Sequence, residues 1–214
     1  MAIPPPASHC DAVQLAMWSA ESLIYNPYQL EYAWYEPYKL QLDRVFPTRY
    51  SRGRNGDSSI TVSPQYWLLL PNAPGIFNPH HAGTQILDFL LLYTKFTSSL
   101  RNALHSKIPL LNIEVKNKPT FITQQSQFKI CRKQALQQAS RAYAYPNVGG
   151  PRLLYSIVCV GKFWKWLCFT DDPGNGSPIG EDGIRYQLNT QGSYVMFNQI
   201  RDDLCSHYNN FSEY

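Results

Sequence analysis

Acidic residues are almost missing from the middle third of this 214-residue chain. Between Lys95 and Lys165 there is one, Glu114, against twelve lysines and arginines, a net +11. The whole chain carries only +4, so the remainder, with seven basic and fourteen acidic residues, is −7. Other absences narrow the classes. The longest apolar run, Ile86 to Tyr93, contains Asp88 and is far too short to span a bilayer. The start, MAIPPPASHC, has no basic stretch followed by an apolar one, so no secretory signal is expected. Five cysteines, at 10, 131, 159, 168 and 205, are odd in number and show no CxxC or Cys/His ligand spacing. They suit free thiols in a reducing compartment better than structural zinc. The expected location is intracellular, nucleus or cytoplasm; RYSRGR (49–54) is too weak to count as a localisation signal. No Gly-rich phosphate loop, GxSxG elbow or HExxH motif is present, which leaves nucleoside-triphosphatase, serine-hydrolase and zinc-protease readings without support.

What is present is a globular composition, 44% hydrophobic and 14% aromatic with 16% charged. Val13, Ala16, Met17, Ala20 and Ile24 recur at helical spacing after the capping candidates Ser8 and Asp11, and Asn26-Pro27 ends that helix. A second helical stretch, about Gln29 to Phe46, is interrupted at Pro37, and RYSRGRNGDSS reads as a polar loop. Strands are expected at YWLLL (66–70), QILDFLLLY (85–93) and LLNIEVKNK (110–118), then a helix from Phe128 to Tyr145. LLYSIVCV and FWKWLCF follow as strands joined at Gly161-Lys162, the pattern of a hairpin. DDPGNGSPIGEDG is a long loop, and an amphipathic helix spans Ser193 to Tyr208. With no internal repeat and no linker, this order predicts one mixed α/β domain with a central sheet.

The chemistry is concentrated in two strands. In LNIEVKNK (111–118) Leu111, Ile113 and Val115 alternate with Asn112, Glu114, Lys116 and Lys118, so Glu114 and Lys116 share the polar face. Taken alone, that is also what a solvated strand face looks like. Asp88 interrupts the apolar ILDFLLLY, where an unpaired carboxylate would cost several kcal/mol and must be paired, protonated or metal-bound. A strand-end aspartate bonded to a nearby loop would satisfy the same demand. Gln134 and Gln138 lie one turn apart on the following helix.

An acid in a buried strand, then a strand bearing Glu-x-Lys, then a helix with glutamines, resembles the PD-(D/E)XK nuclease superfamily, in particular its fungal PD-(D/E)XK-like group. The resemblance covers roughly residues 66 to 169, and LLYSIVCVGKFWKWLCF is similar to the paired strands after that helix in the fungal group. It implies a restriction-endonuclease-like core at 66–169, a helical part at 1–60, and a loop with a C-terminal helix at 170–214. Asp88 would be the first metal-binding acid, Glu114 the second and Lys116 the catalytic lysine. The Val115 main-chain carbonyl would join the metal, Mg²⁺ or Mn²⁺, and Gln138, preferred over Gln134, would position water or the lysine. The residue before Asp88 is Leu87 where the family motif has Pro. An N-terminal helical acid is usual in the family; Glu21, Glu31 and Glu36 compete here, with Glu31 chosen. His81, beside His80 in a turn-rich loop, could reach a metal as histidines do in some relatives, and an ordinary loop pair is the plainer reading.

The implied activity is metal-dependent phosphodiester hydrolysis of nucleic acid, DNA ahead of RNA. The basic segment would attract phosphate backbones, with Lys118, Lys129, Arg132 and Lys133 as contact candidates. Tyr25, Tyr28, Tyr32, Trp34, Tyr35 and Tyr38 read mainly as helix packing, with base stacking as the lesser alternative. The runner-up is a catalytically inactive nuclease-like domain that binds nucleic acid or protein. A purely structural protein would leave Asp88 unexplained.

Overall fold

A computed structural model describes residues 7–28, 30–53, 56–68, 85–96, 105–117, 123–143, 153–170, 178–181 and 183–208. Its elements are α1 (Ala7–Glu21), a single 3-10 turn (Glu31–Trp34), α2 (Tyr35–Val45), β1 (Arg49–Gly53), β2 (Gly56–Leu68), β3 (Gln85–Phe96), β4 (His105–Lys116), α3 (Gln124–Tyr143), β5 (Leu154–Val160), β6 (Phe163–Phe169), β7 (Tyr186–Gln187) and α4 (Gln191–Tyr208). The seven strands form one open sheet in sequence order, β1 to β7. Only β4 and β5 run parallel, and α3 is the crossover between them; every other neighbouring pair is antiparallel. The class is therefore α/β with a mixed sheet.

Alternation along the strands divides the core between the two faces. Tyr155, Ile157 and Cys159 of β5 pack with Ile113 and Val115 of β4 against α1, α2 and α4. Leu154, Val158 and Val160 turn the other way, to Phe128, Cys131, Ala135, Ala139 and Ala142 of α3. The alanines leave room for α3 to lie close to the sheet, which brings its one buried glutamine, Gln138, down onto β4. Pro109 lies within a central strand and cannot donate to the ladder. The β3–β4 register shifts there, pairing Leu92 with Pro109 and Leu91 with Leu111, so Leu110 bulges.

Several sequence expectations are corrected. α1 ends at Glu21, and Ile24 stands in the turn at 84% exposure, outside the buried stripe. The buried Asn26 closes that turn, accepting from the Leu30 N–H and donating to the carbonyls of Ala20 and Leu30. Pro37 does not interrupt a helix: it is the third residue of α2, in the first turn, where no intrahelical partner is needed for its missing N–H. The polar stretch expected as a loop is the β1–β2 hairpin, in register from Arg49↔Ile60 to Gly53↔Gly56, so residues 1–60 are not all helical. The two-residue β7 had no sequence signal, and much of the 171–183 loop lies outside the described residues.

Candidate active site at the splayed end of β3 and β4

The β3–β4 register ends at Phe89↔Ile113, and the next residues outward are Asp88 and Glu114. Here a side chain takes over from the ladder. Asp88 Oδ2 accepts the Val115 N–H at 2.6 Å, and the Tyr35 hydroxyl donates to Oδ1. Tyr35 is the first residue of α2 and also packs edge-on against Phe89. Asp88 is 7% exposed. Burial raises its pKa, opposed by the Tyr35 and Val115 donors and by the Lys116 ammonium.

Glu114 and Lys116 share a face as their spacing requires, but that face is covered: Glu114 is 4% exposed, beneath α3. Lys116 Nζ lies 2.7 Å from Glu114 Oε1, and Gln138 Nε2 donates to Oε2 at 2.5 Å. Burial, then the nearby Asp88 carboxylate, raises the Glu114 pKa against the pull of Lys116 and Gln138. On the far side of Lys116, Glu31 Oε1 lies at 3.2 Å. Burial also raises Glu31, partly offset by Lys116. For Lys116 itself, burial works against the charge, but Glu114, Glu31 and Asp88 outweigh it and hold the pKa above the ordinary lysine value. The lysine is thus a fixed cation among three carboxyl groups.

Of the residues singled out in the sequence, Asp88, Glu114, Lys116, Gln138 and Glu31 converge here, and Val115 joins through its N–H. The competing acids do not: Glu21 pairs with Lys162 at 3.1 Å and Glu36 is exposed. Gln134 Oε1 is buried with no hydrogen-bond partner among the described residues. Lys129 and Lys133 are exposed on α3, while Arg132 pairs with Glu181 at 3.2 Å. His81 and Lys118 lie outside the described residues. The aromatic group divides: Trp34 and Tyr38 are buried as packing residues, but Tyr25, Tyr28 and Tyr32 are 77%, 82% and 64% exposed, so helix packing does not account for them.

Sequence reasoning gave Tyr35 and Asn112 no part in the site and missed Ser156 altogether. Asn112 Nδ2 donates to Gln138 Oε1 at 2.9 Å, and the Ser156 hydroxyl donates to Asn112 Oδ1. Ser156 had a readable signal, a lone polar residue in the apolar LLYSIVCV, of the same kind that exposed Asp88. Nothing set Tyr35 apart from the other aromatics of its cluster.

Among the described residues no three His, Cys, Asp or Glu side chains group closely enough to hold a metal by themselves. The donor chemistry suits a hard cation that keeps several waters. Each carboxylate has about four lone-pair sites, and Asp88 and Glu114 each spend two on protein donors. Compared with protein-family models, with curated proteins and with solved structures, the chain matches none.

Proposed function

We propose that this chain is a restriction-endonuclease-like, divalent-metal-dependent nuclease that hydrolyses phosphodiester bonds in nucleic acid, DNA ahead of RNA. The observation that carries the reading is the group where the β3–β4 pairing ends: the buried carboxylates of Asp88 and Glu114 come next on the two strands, and Glu114 and Glu31 clamp Lys116 at 2.7 and 3.2 Å. Asp88, Glu114 and the Val115 carbonyl would hold Mg²⁺ or Mn²⁺. The ion's chemistry is to lower the pKa of bound water and to offset charge on the phosphate oxygens. In hydrolysis the water oxygen bonds to phosphorus, the ester P–O bond breaks, and the departing oxygen takes a proton, leaving a phosphate monoester and a hydroxyl. Lys116, protonated at neutral pH, serves as a positive charge that orients water and stabilises the developing phosphorane, not as a base. Gln138 holds Glu114 in place, and Glu31 holds Lys116 from the other side.

The test uses melting and cleavage together. Mg²⁺ or Mn²⁺ should raise the melting temperature of the wild type, since a ligand bound only by the folded state stabilises it. Asp88→Asn should abolish the shift. Lys116→Ala should keep most of it while lowering cleavage of a plasmid or oligonucleotide by about 10²–10³-fold. Absence of a metal-dependent shift in the wild type, with a merely destabilised Asp88→Asn, would make Asp88 a structural residue.

A second reading, a catalytically silent module on this scaffold that binds nucleic acid or protein, is favoured by Lys116 being doubly ion-paired and by the lack of a three-ligand cluster among the described residues. Metal binding by the wild type with no cleavage of DNA or RNA selects it.

A further inference from the structure

Behind Glu114 a chain of buried polar side chains crosses two strands and a helix. Ser156 of β5 is the register partner of Asn112 in β4 and gives its hydroxyl to Asn112 Oδ1. Asn112 Nδ2 donates to Gln138 Oε1 at 2.9 Å, and Gln138 Nε2 donates to Glu114 Oε2 at 2.5 Å. Ser156, Gln138 and Asn112 are 0%, 1% and 2% exposed. The neighbours of Ser156 on this face of β5, Leu154 and Val158, are core residues packed on α3. Three uncharged polar side chains in such surroundings are costly unless every one is partnered, and here each is.

The chain has a direction, and Glu114 sets it. A carboxylate only accepts, so Gln138 must turn its NH₂ toward Glu114, which leaves Oε1 facing Asn112. Asn112 must then offer its own NH₂, and its Oδ1 is left to accept from Ser156. Only the serine hydroxyl can turn to suit either arrangement. If the Gln138 amide reversed, Oε1 would face the carboxylate and push it out of its place beside Lys116. The Glu114 carboxylate opposes this reversal, and Asn112, donating to Oε1 at 2.9 Å, holds the amide in the orientation that Glu114 sets.

We infer that Asn112 is a positioning residue for Glu114, acting through the amide of Gln138, with Ser156 as its anchor. What Glu114 does once positioned rests on the nuclease reading; the relay itself does not.

The experiment takes the full chain with Asn112→Ala and Asn112→Asp, each alone and combined with Gln138→Met. It measures kcat and KM for Mg²⁺-dependent oligonucleotide cleavage, the melting temperature, and solvent exchange of the Gln138 side-chain amide protons by NMR. Asn112→Ala should lower kcat roughly tenfold with KM little changed, the scale of one lost buried hydrogen bond. Asn112→Asp should cost more, because it sets an acceptor against Oε1. In the Gln138→Met background Asn112→Ala should cost no further rate, since a residue acting only through Gln138 has nothing left to act on. The amide protons of Gln138 should exchange faster in Asn112→Ala than in the wild type. If the wild type cleaves nothing while that acceleration is seen, the nuclease reading fails and the relay stands. A rate loss from Asn112→Ala that persists in Gln138→Met, or an amide indifferent to Asn112→Ala, overturns the inference. Should Asn112→Ala not fold, Ser156→Ala, which frees the Asn112 side chain, is read by the same exchange measurement, and an unchanged Gln138 amide there overturns the inference.

Discussion

Asp88 holds two protein donors on a carboxylate that is 7% exposed, and neither donor is a full positive charge. Burial prevails over these donors and over the Lys116 charge, and the pKa rises; those of Glu114 and Glu31 rise too, burial outweighing their pairing with Lys116. For a group whose folded pKa is raised, the stabilising contribution is fully present below its unfolded pKa and is lost as pH rises through the folded value. The metal-free wild type should therefore gain stability relative to Asp88→Asn as pH falls from 7 toward 4, because only the wild type carries that group. Melting both proteins across this range checks it, and a gap that moves the other way would mean that the Tyr35 and Val115 donors outweigh burial. If the site holds Mg²⁺ as proposed, saturating Mg²⁺ should raise the wild type at pH 7 and flatten the comparison, because the ion would compete with the proton for the same oxygens.

At the scale of elements, the site depends on short connections that turn tightly. β5 and β6 meet at Gly161, whose φ of +57° lies in the left-handed region that costs a side-chain-bearing residue about 1–2 kcal/mol. Its N–H donates to the Lys116 carbonyl at 2.9 Å, and its carbonyl accepts from the Tyr38 hydroxyl at 2.9 Å, so the turn ties β4 to α2 next to the site. Gly161→Ala should lower stability by about 1 kcal/mol, read as a melting temperature lower by about 2–4 °C in a chain of this size. An unchanged melting temperature would mean that the turn relaxes to another conformation. The strand–turn–strand was legible from FWKWLCF and its Gly-Lys joint. The β1–β2 hairpin was not, because its residues are polar and apolar alternation is the signal by which strands are recognised.

Over the whole molecule the charge asymmetry is a sequence fact, but its use depends on which cations are free. Lys129 and Lys133 stand exposed on α3, whereas Arg132 is engaged by Glu181 and Lys116 by two carboxylates. Binding to a generic DNA duplex or single strand should weaken steeply between low and moderate salt. Lys129→Gln with Lys133→Gln should reduce the logarithmic salt slope by about two, with no change in melting temperature. Arg132→Gln should change the slope less, its charge being already partnered. Fluorescence anisotropy with salt titration reads all three; absence of binding at low salt would remove nucleic acid as a partner, and salt-independent binding would remove the role of these lysines.

Local periodicity alone set which residues could share a face: Glu114 with Lys116, Ile113 with Val115, Gln134 with Gln138. The sequence also made Asp88 conspicuous, since a carboxylate in ILDFLLLY needs a partner in any fold. Periodicity is local, and it was enough for these. It took the packing of distant elements to bury Asn112 and Glu114 on the polar face of β4, to bring Glu31 rather than Glu21 or Glu36 to Lys116, and to carry Tyr35 to Asp88 across 53 positions of sequence. Those outcomes depend on how α3, the 3-10 turn and α2 pack on the sheet. Packing is fixed by the fit of whole faces, which no short stretch of residues contains.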